Sequence, residues 1–106
     1  MPRTKRAPSR VIGDVSIYPI GEGTSLSRYV RAASKAMKTV RSVRLVPGPM
    51  STAVEAPRLD DVFLAVKRAH AALLEMGAQR VAIVLRIDHR LDKAETIEYK
   101  VGRIKV

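Results

Sequence analysis

The sequence predicts an α+β domain in which one four-stranded antiparallel sheet packs against two helices. Apolar and polar residues alternate over residues 11–20 and 80–88, which is typical of strands with one buried face. Two longer segments carry apolar residues every three or four positions, which indicates helices. A Pro-Gly-Pro turn separates two short runs that contain β-branched residues, which indicates a hairpin.

The length of 106 residues is typical of one domain. Residues 1–10 contain four basic residues, two prolines and no large apolar side chain other than Met1. Such a segment cannot bury enough apolar surface to offset the entropy lost on ordering. We therefore expect a flexible basic arm over residues 1–10 and a single folded domain over residues 11–106.

The first strand, residues 11–20, has a polar face that carries Asp14, Ser16 and Tyr18. Two glycines end it, after which Thr24 or Ser25 is expected to cap the first helix by accepting hydrogen bonds from its free N–H groups. The apolar stripe expected on this helix consists of Leu26, Val30, Ala33, Met37 and Val40.

The hairpin is predicted from strands at residues 42–46 and 51–55. The second helix is expected to start near Asp60 or Asp61 and to end before Gly77. Its predicted apolar face consists of Leu59, Val62, Phe63, Val66, Ala69, Leu73 and Met76.

A fourth strand over residues 80–88 and a short helix within residues 92–106 complete the chain. The resulting order β-α-β-β-α-β, followed by a short C-terminal helix, is the ferredoxin-like arrangement. Its expected spatial strand order is fourth, first, third, second, with both long helices on one face of the sheet. The other face is expected to be open, either as a ligand floor or as an oligomer interface.

The formal net charge of +10 raises the possibility of a nucleic-acid or polyanion partner. Sequence-specific RNA recognition on such a sheet requires stacking aromatics on the two central strands, and only Tyr18 is present there. A basic row on the first helix could still bind phosphate nonspecifically, although a solvated helix face is the simpler interpretation. The members of this row are Arg28, Arg31, Lys35 and Lys38.

No other class of partner is indicated by composition. No apolar run approaches the roughly 20 residues needed to cross a bilayer, so no membrane partner is expected. The absence of cysteine excludes disulfides and thiolate metal sites, and makes a reducing, cytoplasmic compartment the default. We expect neither a metal nor a cofactor.

Candidate catalytic groups are sparse. His70 and His89 are the only histidines, and each has an ordinary structural role available to it on a helix or in a salt-bridged turn. The segment IGEGTSLS lacks the Gly-Lys-Ser/Thr ending and the Gly-x-Gly-x-x-Gly spacing of nucleotide-binding loops. No nucleophile elbow or carboxylate dyad is identifiable, which favours a binding protein over an enzyme.

Three ordered segments, DVSIYPIGEGTSLSRYV, GPMSTAVEA and RVAIVLRIDHRLD, resemble the small thiamine-binding protein family, and the resemblance runs from about Asp14 to the C-terminus. It implies a ferredoxin-like fold, a homotetramer built as a dimer of dimers, and non-catalytic binding of thiamine or its hydroxymethylpyrimidine precursor. The chain departs from the family pattern at Ser51, where Gly or Asn is frequent, and at His89, where Asp is common.

Residue types within these segments suit an aminopyrimidine, a flat ring with paired donors and acceptors. Hydroxyls and a carboxylate can orient such a ring, and Tyr18 and Met50 can supply a flat contact. Structural alternatives stay open: Glu55 could instead pair with Arg86, Tyr18 and Met50 could pack at a subunit interface, and Ser27 could stabilise the helix start. The candidate ligand-binding residues are Ser16, Tyr18, Thr24, Ser25, Ser27, Met50, Ser51, Thr52, Glu55 and Arg86.

Overall fold

The computed structural model describes residues 10–104, so most of the predicted basic arm lies outside the described residues. Four strands form one antiparallel sheet in the order β2-β3-β1-β4, which confirms the predicted fold class and strand order. The elements are β1 (Val11–Pro19), α1 (Ser27–Lys38), β2 (Arg44–Pro47), β3 (Thr52–Ala56), α2 (Leu59–Glu75), β4 (Val81–His89) and α3 (Ile97–Arg103).

The hydrophobic core lies between the sheet and the helices α1 and α2. Alternate residues of β1 face this side, and Val11, Val15 and Ile17 are all buried there. The helices contribute both large and small buried side chains, and the alanines at positions 33, 65 and 69 allow them to approach the sheet and each other closely. Their buried residues are Tyr29, Ala33, Met37, Val62, Ala65, Ala69 and Leu73.

The predicted apolar stripes of both helices contain most of the buried positions, but each also includes exposed residues and omits one buried residue. On α1 the buried positions are Tyr29, Ala33 and Met37, whereas Val30 is 45% exposed. The predicted stripe omits Tyr29 because tyrosine has a polar hydroxyl. In the structure the ring is buried and the hydroxyl forms hydrogen bonds with Glu22 and Arg28. On α2, Phe63 is 44% exposed and Leu59 is also exposed, because the small residues at 65 and 69 form the contact face.

The predicted side-chain cap of α1 is wrong. The helix begins at Ser27 after Leu26, no side chain caps it, and Thr24 and Ser25 are exposed in the preceding loop. The loop is instead fixed by buried Tyr29, whose hydroxyl donates to Glu22 Oε1 at 2.9 Å and accepts from Arg28 at 2.9 Å. The hydrogen bond to Glu22, which prefers the protonated phenol, raises the pKa of Tyr29 above its ordinary value.

The predicted C-terminal helix is present as α3, but its position, partly covering the open face of the sheet, was not predicted. Ile97 is buried, and its backbone N–H donates to Glu55 Oε1 at 2.8 Å. Glu55 is opposite Ile12 in the register, on the face away from α1 and α2. The helix therefore lies over β3 on the far side of the sheet from the main core.

Within the part of the chain that the structure describes, no helix is both long enough and apolar enough to cross a membrane. The cytoplasmic location expected from the sequence stays a prediction.

Replacing Gly13 by Ala is expected to destabilise the fold by about 1 to 3 kcal/mol, the usual cost of overpacking. A Cβ at this position in β1 would lie 2.5 Å from the carbonyl oxygen of Arg86 in β4, and neither backbone can move without breaking the ladder. Urea unfolding measures the change. Gly102→Ala is the matched control, because a Cβ there meets no atom within 4 Å. Equal stability of Gly13→Ala and wild type would contradict this packing.

Candidate functional site

A small pocket of about 200 Å³ lies between α1, the end of β1 and the turn that joins β2 to β3. One wall is apolar and comes from Leu26, Val30 and Met37 of the α1 region. The opposite wall contains half of the predicted site residues: Ser16, Tyr18, Met50, Ser51 and Thr52. The structure thus brings together residues from two of the three segments that carry the family resemblance.

The pocket exists because β3 is much shorter than β1. The pairing of β1 with β3 ends at Val15 opposite Thr52, whereas its pairing with β4 continues to Pro19. From Ser16 onward, β1 has no strand on its β3 side, so main-chain groups there are directed toward the pocket. The chain turns back tightly at this point, with Gly48 N–H donating to the Ser51 carbonyl at 2.9 Å.

One hydroxyl in the pocket is uncommitted. Thr52, which lies opposite Val15 on the α1 side of the sheet, is only 7% exposed and makes no side-chain hydrogen bond to another described residue. A ligand can therefore bind this hydroxyl without displacing an internal partner. Ser16 and Tyr18 border the pocket, but the alternation of β1 places their side chains on the face of the sheet away from α1. Met50, on the turn, is 86% exposed at the mouth of the pocket. Burial of this apolar side chain against a ligand would be favourable.

Five predicted site residues lie outside the pocket. Thr24, Ser25 and Ser27 are exposed in the loop before α1 and at its first turn. Glu55 and Arg86 lie on the face of the sheet that α3 partly covers. Their roles as ligand contacts stay predictions.

Glu55 is only 4% exposed and both of its carboxylate oxygens are occupied. Besides the Ile97 N–H, Oε2 accepts from Arg10 Nε at 3.0 Å and Oε1 accepts from Arg44 at 3.4 Å. The alternative that Glu55 pairs with Arg86 is wrong, because Arg86 pairs with Asp14 instead. Glu55 therefore holds α3 and β2 together, as a buried carboxylate with several donors can.

Asp14, which the sequence analysis did not single out as a site residue, connects the pocket to the far face of the sheet. Arg86 donates to it twice, from Nε at 3.0 Å and from a terminal nitrogen at 2.6 Å, and Ser51 Oγ donates at 3.2 Å. The hydrogen bonds from Arg86 hold the pKa of Asp14 below its ordinary value, against the opposing effect of burial. The sequence could have indicated this pair once the order and register of the strands were assumed, because the register places Asp14 directly opposite Arg86.

Residues 13–105 match the model of a family described as thiamine-binding protein. The chain belongs to this thiamine-binding protein family. The match begins inside β1 and ends beyond α3, so it includes every residue of the pocket.

Individual relatives support the same assignment. A UPF0045 protein of Methanothermobacter thermautotrophicus is 40% identical over 96 residues, covering 90% of this chain and 96% of the relative. The crystal structure of a hypothetical protein from Methanocaldococcus jannaschii is 38% identical, with a TM-score of 0.82 and coverage of 90% and 95% of the two chains. A Thermotoga maritima structure, of a protein named for thiamine biosynthesis/salvage, is 26% identical with a TM-score of 0.70, covering 91% and 99%.

This member of the thiamine-binding protein family also has a larger groove, of about 510 Å³, between α3 and the sheet. It contains none of the predicted hydroxyls. Its apolar walls include Ile12, Ala53, Val101 and Ile104, and its charged groups are already paired with one another. The smaller pocket is therefore the better candidate for a small polar ligand, because it contains an uncommitted hydroxyl at Thr52, whereas the charged groups of the groove are paired.

The described residues hold no group of three or more His, Asp or Glu side chains arranged to bind a metal ion.

The low pKa of Asp14 predicts an acid-dependent loss of stability. Because the folded carboxyl binds a proton less readily than the unfolded one, its contribution is complete above the unfolded pKa of about 3.9. That contribution is lost as the pH falls through the lower folded pKa. Urea unfolding at a series of acidic pH values should therefore show a smaller acid-induced decrease for Asp14→Asn than for wild type.

Asp60→Asn is the comparison variant, because Asp60 is exposed and forms no ion pair with another described residue; its loss of stability at acidic pH should parallel that of wild type. If wild type and Asp14→Asn lose stability in parallel as the pH falls, the Asp14–Arg86 pair does not stabilise the fold.

Proposed function

We propose that this protein binds thiamine or its hydroxymethylpyrimidine precursor without chemical conversion, and that the pyrimidine ring occupies the pocket between α1 and the β2–β3 turn. The observation that carries the proposal is the meeting of two family-like segments around one pocket, which contains the uncommitted hydroxyl of Thr52 and the end of β1 that has no strand on its β3 side. Hydroxyls satisfy either the donors or the acceptors of an aminopyrimidine, because each can act in both ways.

The size of the pocket favours the pyrimidine half of thiamine as the buried part. Sites for drug-sized ligands have volumes of roughly 300 to 1,000 Å³, and this pocket, at about 200 Å³, is smaller. One six-membered ring with small substituents fits such a volume, whereas a second ring would extend past Met50 toward solvent. The side chain of Met50 then contacts the ligand from the mouth of the pocket.

Titration calorimetry with thiamine and with hydroxymethylpyrimidine tests binding directly. Saturable heat is expected with both ligands, and no heat together with no thermal shift at millimolar concentration would contradict the proposed function.

Thr52→Val keeps the shape of the side chain but removes its hydroxyl, and it should weaken binding by about tenfold, the effect of one hydrogen bond.

Thr24→Val is the matched control, because Thr24 is an exposed threonine of another family-like segment and lies outside the pocket. Weaker binding by Thr24→Val with unchanged binding by Thr52→Val would move the site to the loop before α1. Comparable losses in both variants would contradict the assignment to the pocket alone.

We further propose that the protein works as a homo-oligomer, a dimer of dimers, in which a second copy covers the open face of the sheet. This face exposes Val84, Val101 and Ile104, while its charges are paired internally as Asp14–Arg86 and Lys100–Asp88. An apolar surface with internally neutralised charges can be desolvated against a copy at lower cost than a strongly basic one. The nine-residue strand β4 also has a free outer edge.

Introducing a charge on the open face should weaken the association between copies and shift the protein toward smaller species. Val84→Glu places an acid on β4 next to the apolar groove, where Val84 is 55% exposed. Sedimentation velocity should show a smaller species for this variant. Leu74→Glu is the matched control, because Leu74 is 51% exposed but lies on α2, on the other side of the sheet. A monomeric wild type would contradict the proposed assembly.

A further inference from the structure

The outward face of α1 carries a continuous basic row, formed by Arg28, Arg31, Lys35 and Lys38. At 3.6 residues per turn these four positions fall within about 80° of one another around the helix axis, and they span about 15 Å along it. They point about 180° away from the buried positions Tyr29, Ala33 and Met37. All four side chains are exposed.

This row lacks the acidic partners that Arg44, Arg86 and Lys100 have on the open side of the sheet. Residues Ser27–Lys38 include no Asp or Glu, and among the described residues Arg31, Lys35 and Lys38 form no ion pair. Six of the ten acidic residues instead lie on the open face of the sheet or around α3, each paired with an Arg or a Lys. The positive charge left over is therefore concentrated on the helix side.

The stability of α1 accounts for only half of the row. Lys35 and Lys38 lie in the last turn, where the helix dipole favours cations. The first turn, in contrast, has no acidic residue and no side-chain cap, and it carries Arg28 next to the positive end of the dipole. Like charges three or four residues apart also repel one another along the row. A bound anion would reduce both the unfavourable interaction of Arg28 with the helix dipole and the repulsion between the cations of the row.

A further cation extends the row onto α2. Arg68 donates to Thr39 Oγ1 at 2.8 Å, which places its exposed guanidinium immediately beyond the C-terminal end of α1. The combined surface crosses two helices, and it lies on the side of the sheet opposite the proposed oligomer interface. Both surfaces can therefore be occupied at the same time.

We propose that this basic row, together with Arg68, binds the phosphate backbone of duplex nucleic acid without reading its bases. A linear array of cations matches a regular array of phosphates, and contacts of this type are independent of sequence. Base stacking on a single strand would require exposed aromatics, and the one aromatic residue of α1, Tyr29, is buried. Insertion into a lipid surface would require the apolar face of α1, which is packed in the core.

The test is the salt dependence of binding of the full-length chain to a fluorescent mixed-sequence DNA duplex, measured by anisotropy. The double variant Arg31→Gln/Lys35→Gln should lower the slope of log affinity against log salt by about 1.8, or about 0.9 for each lost phosphate contact. A duplex of unrelated sequence should give the same affinity as the first.

Arg80→Gln/Arg103→Gln is the matched control, because it removes the same net charge from two exposed positions outside the row. Its slope should equal that of wild type. The proposal would be overturned if the two double variants had equal slopes of log affinity against log salt, or if the wild type bound neither duplex. Binding of the wild type to vesicles containing phosphatidylserine, with the same dependence on the row and no duplex binding, would overturn it in favour of a membrane surface.

Discussion

The unequal lengths of the two neighbours of β1 determine the architecture around the site. On one side β4 pairs with β1 from Val11 to Pro19, and on the other side β3 stops at Val15. The tight turn before β3 imposes that stop, because Gly48 and Ser51 close it with a backbone hydrogen bond. The unpaired end of β1 needs another neighbour, and α1 together with the turn encloses a small pocket there. A longer β3 would fill the pocket with main chain.

Much of this arrangement follows from local sequence patterns. Alternation in β1 and β4 predicts which side chains face the core, and the Pro-Gly-Pro turn predicts the hairpin. Once the strand order is known, the register places Asp14 opposite Arg86. Pocket residues on the turn and on the end of β1 were accordingly predictable from two of the three family-like segments.

The parts that could not be predicted depend on contacts between distant segments. The position of α3 depends on the buried carboxylate of Glu55, which is 42 residues before Ile97 in the chain. The inward position of Tyr29 depends on Glu22, which supplies a partner for the hydroxyl, whereas a periodicity argument treats tyrosine as a polar surface residue. Thr24 and Ser25 have the right chemistry for a cap, but α1 begins after them.

Charge separates the molecule into two sides with different expected behaviour. On the open side of the sheet, acids and bases neutralise one another around an apolar groove, which suits contact with a second copy. On the helix side the bases of α1 have no acidic partners among the described residues, so the positive field of this basic protein is strongest there. The pocket lies at the end of the sheet, apart from both the proposed oligomer interface and the proposed nucleic-acid surface.

The most direct measurement of the central claim is a crystal structure of the protein with hydroxymethylpyrimidine. The proposed site predicts the ring between the α1 wall and the end of β1, with the hydroxyl of Thr52 within hydrogen-bond distance and Met50 folded over it. A ring in the groove beneath α3, or in the loop that carries Thr24 and Ser25, would contradict it.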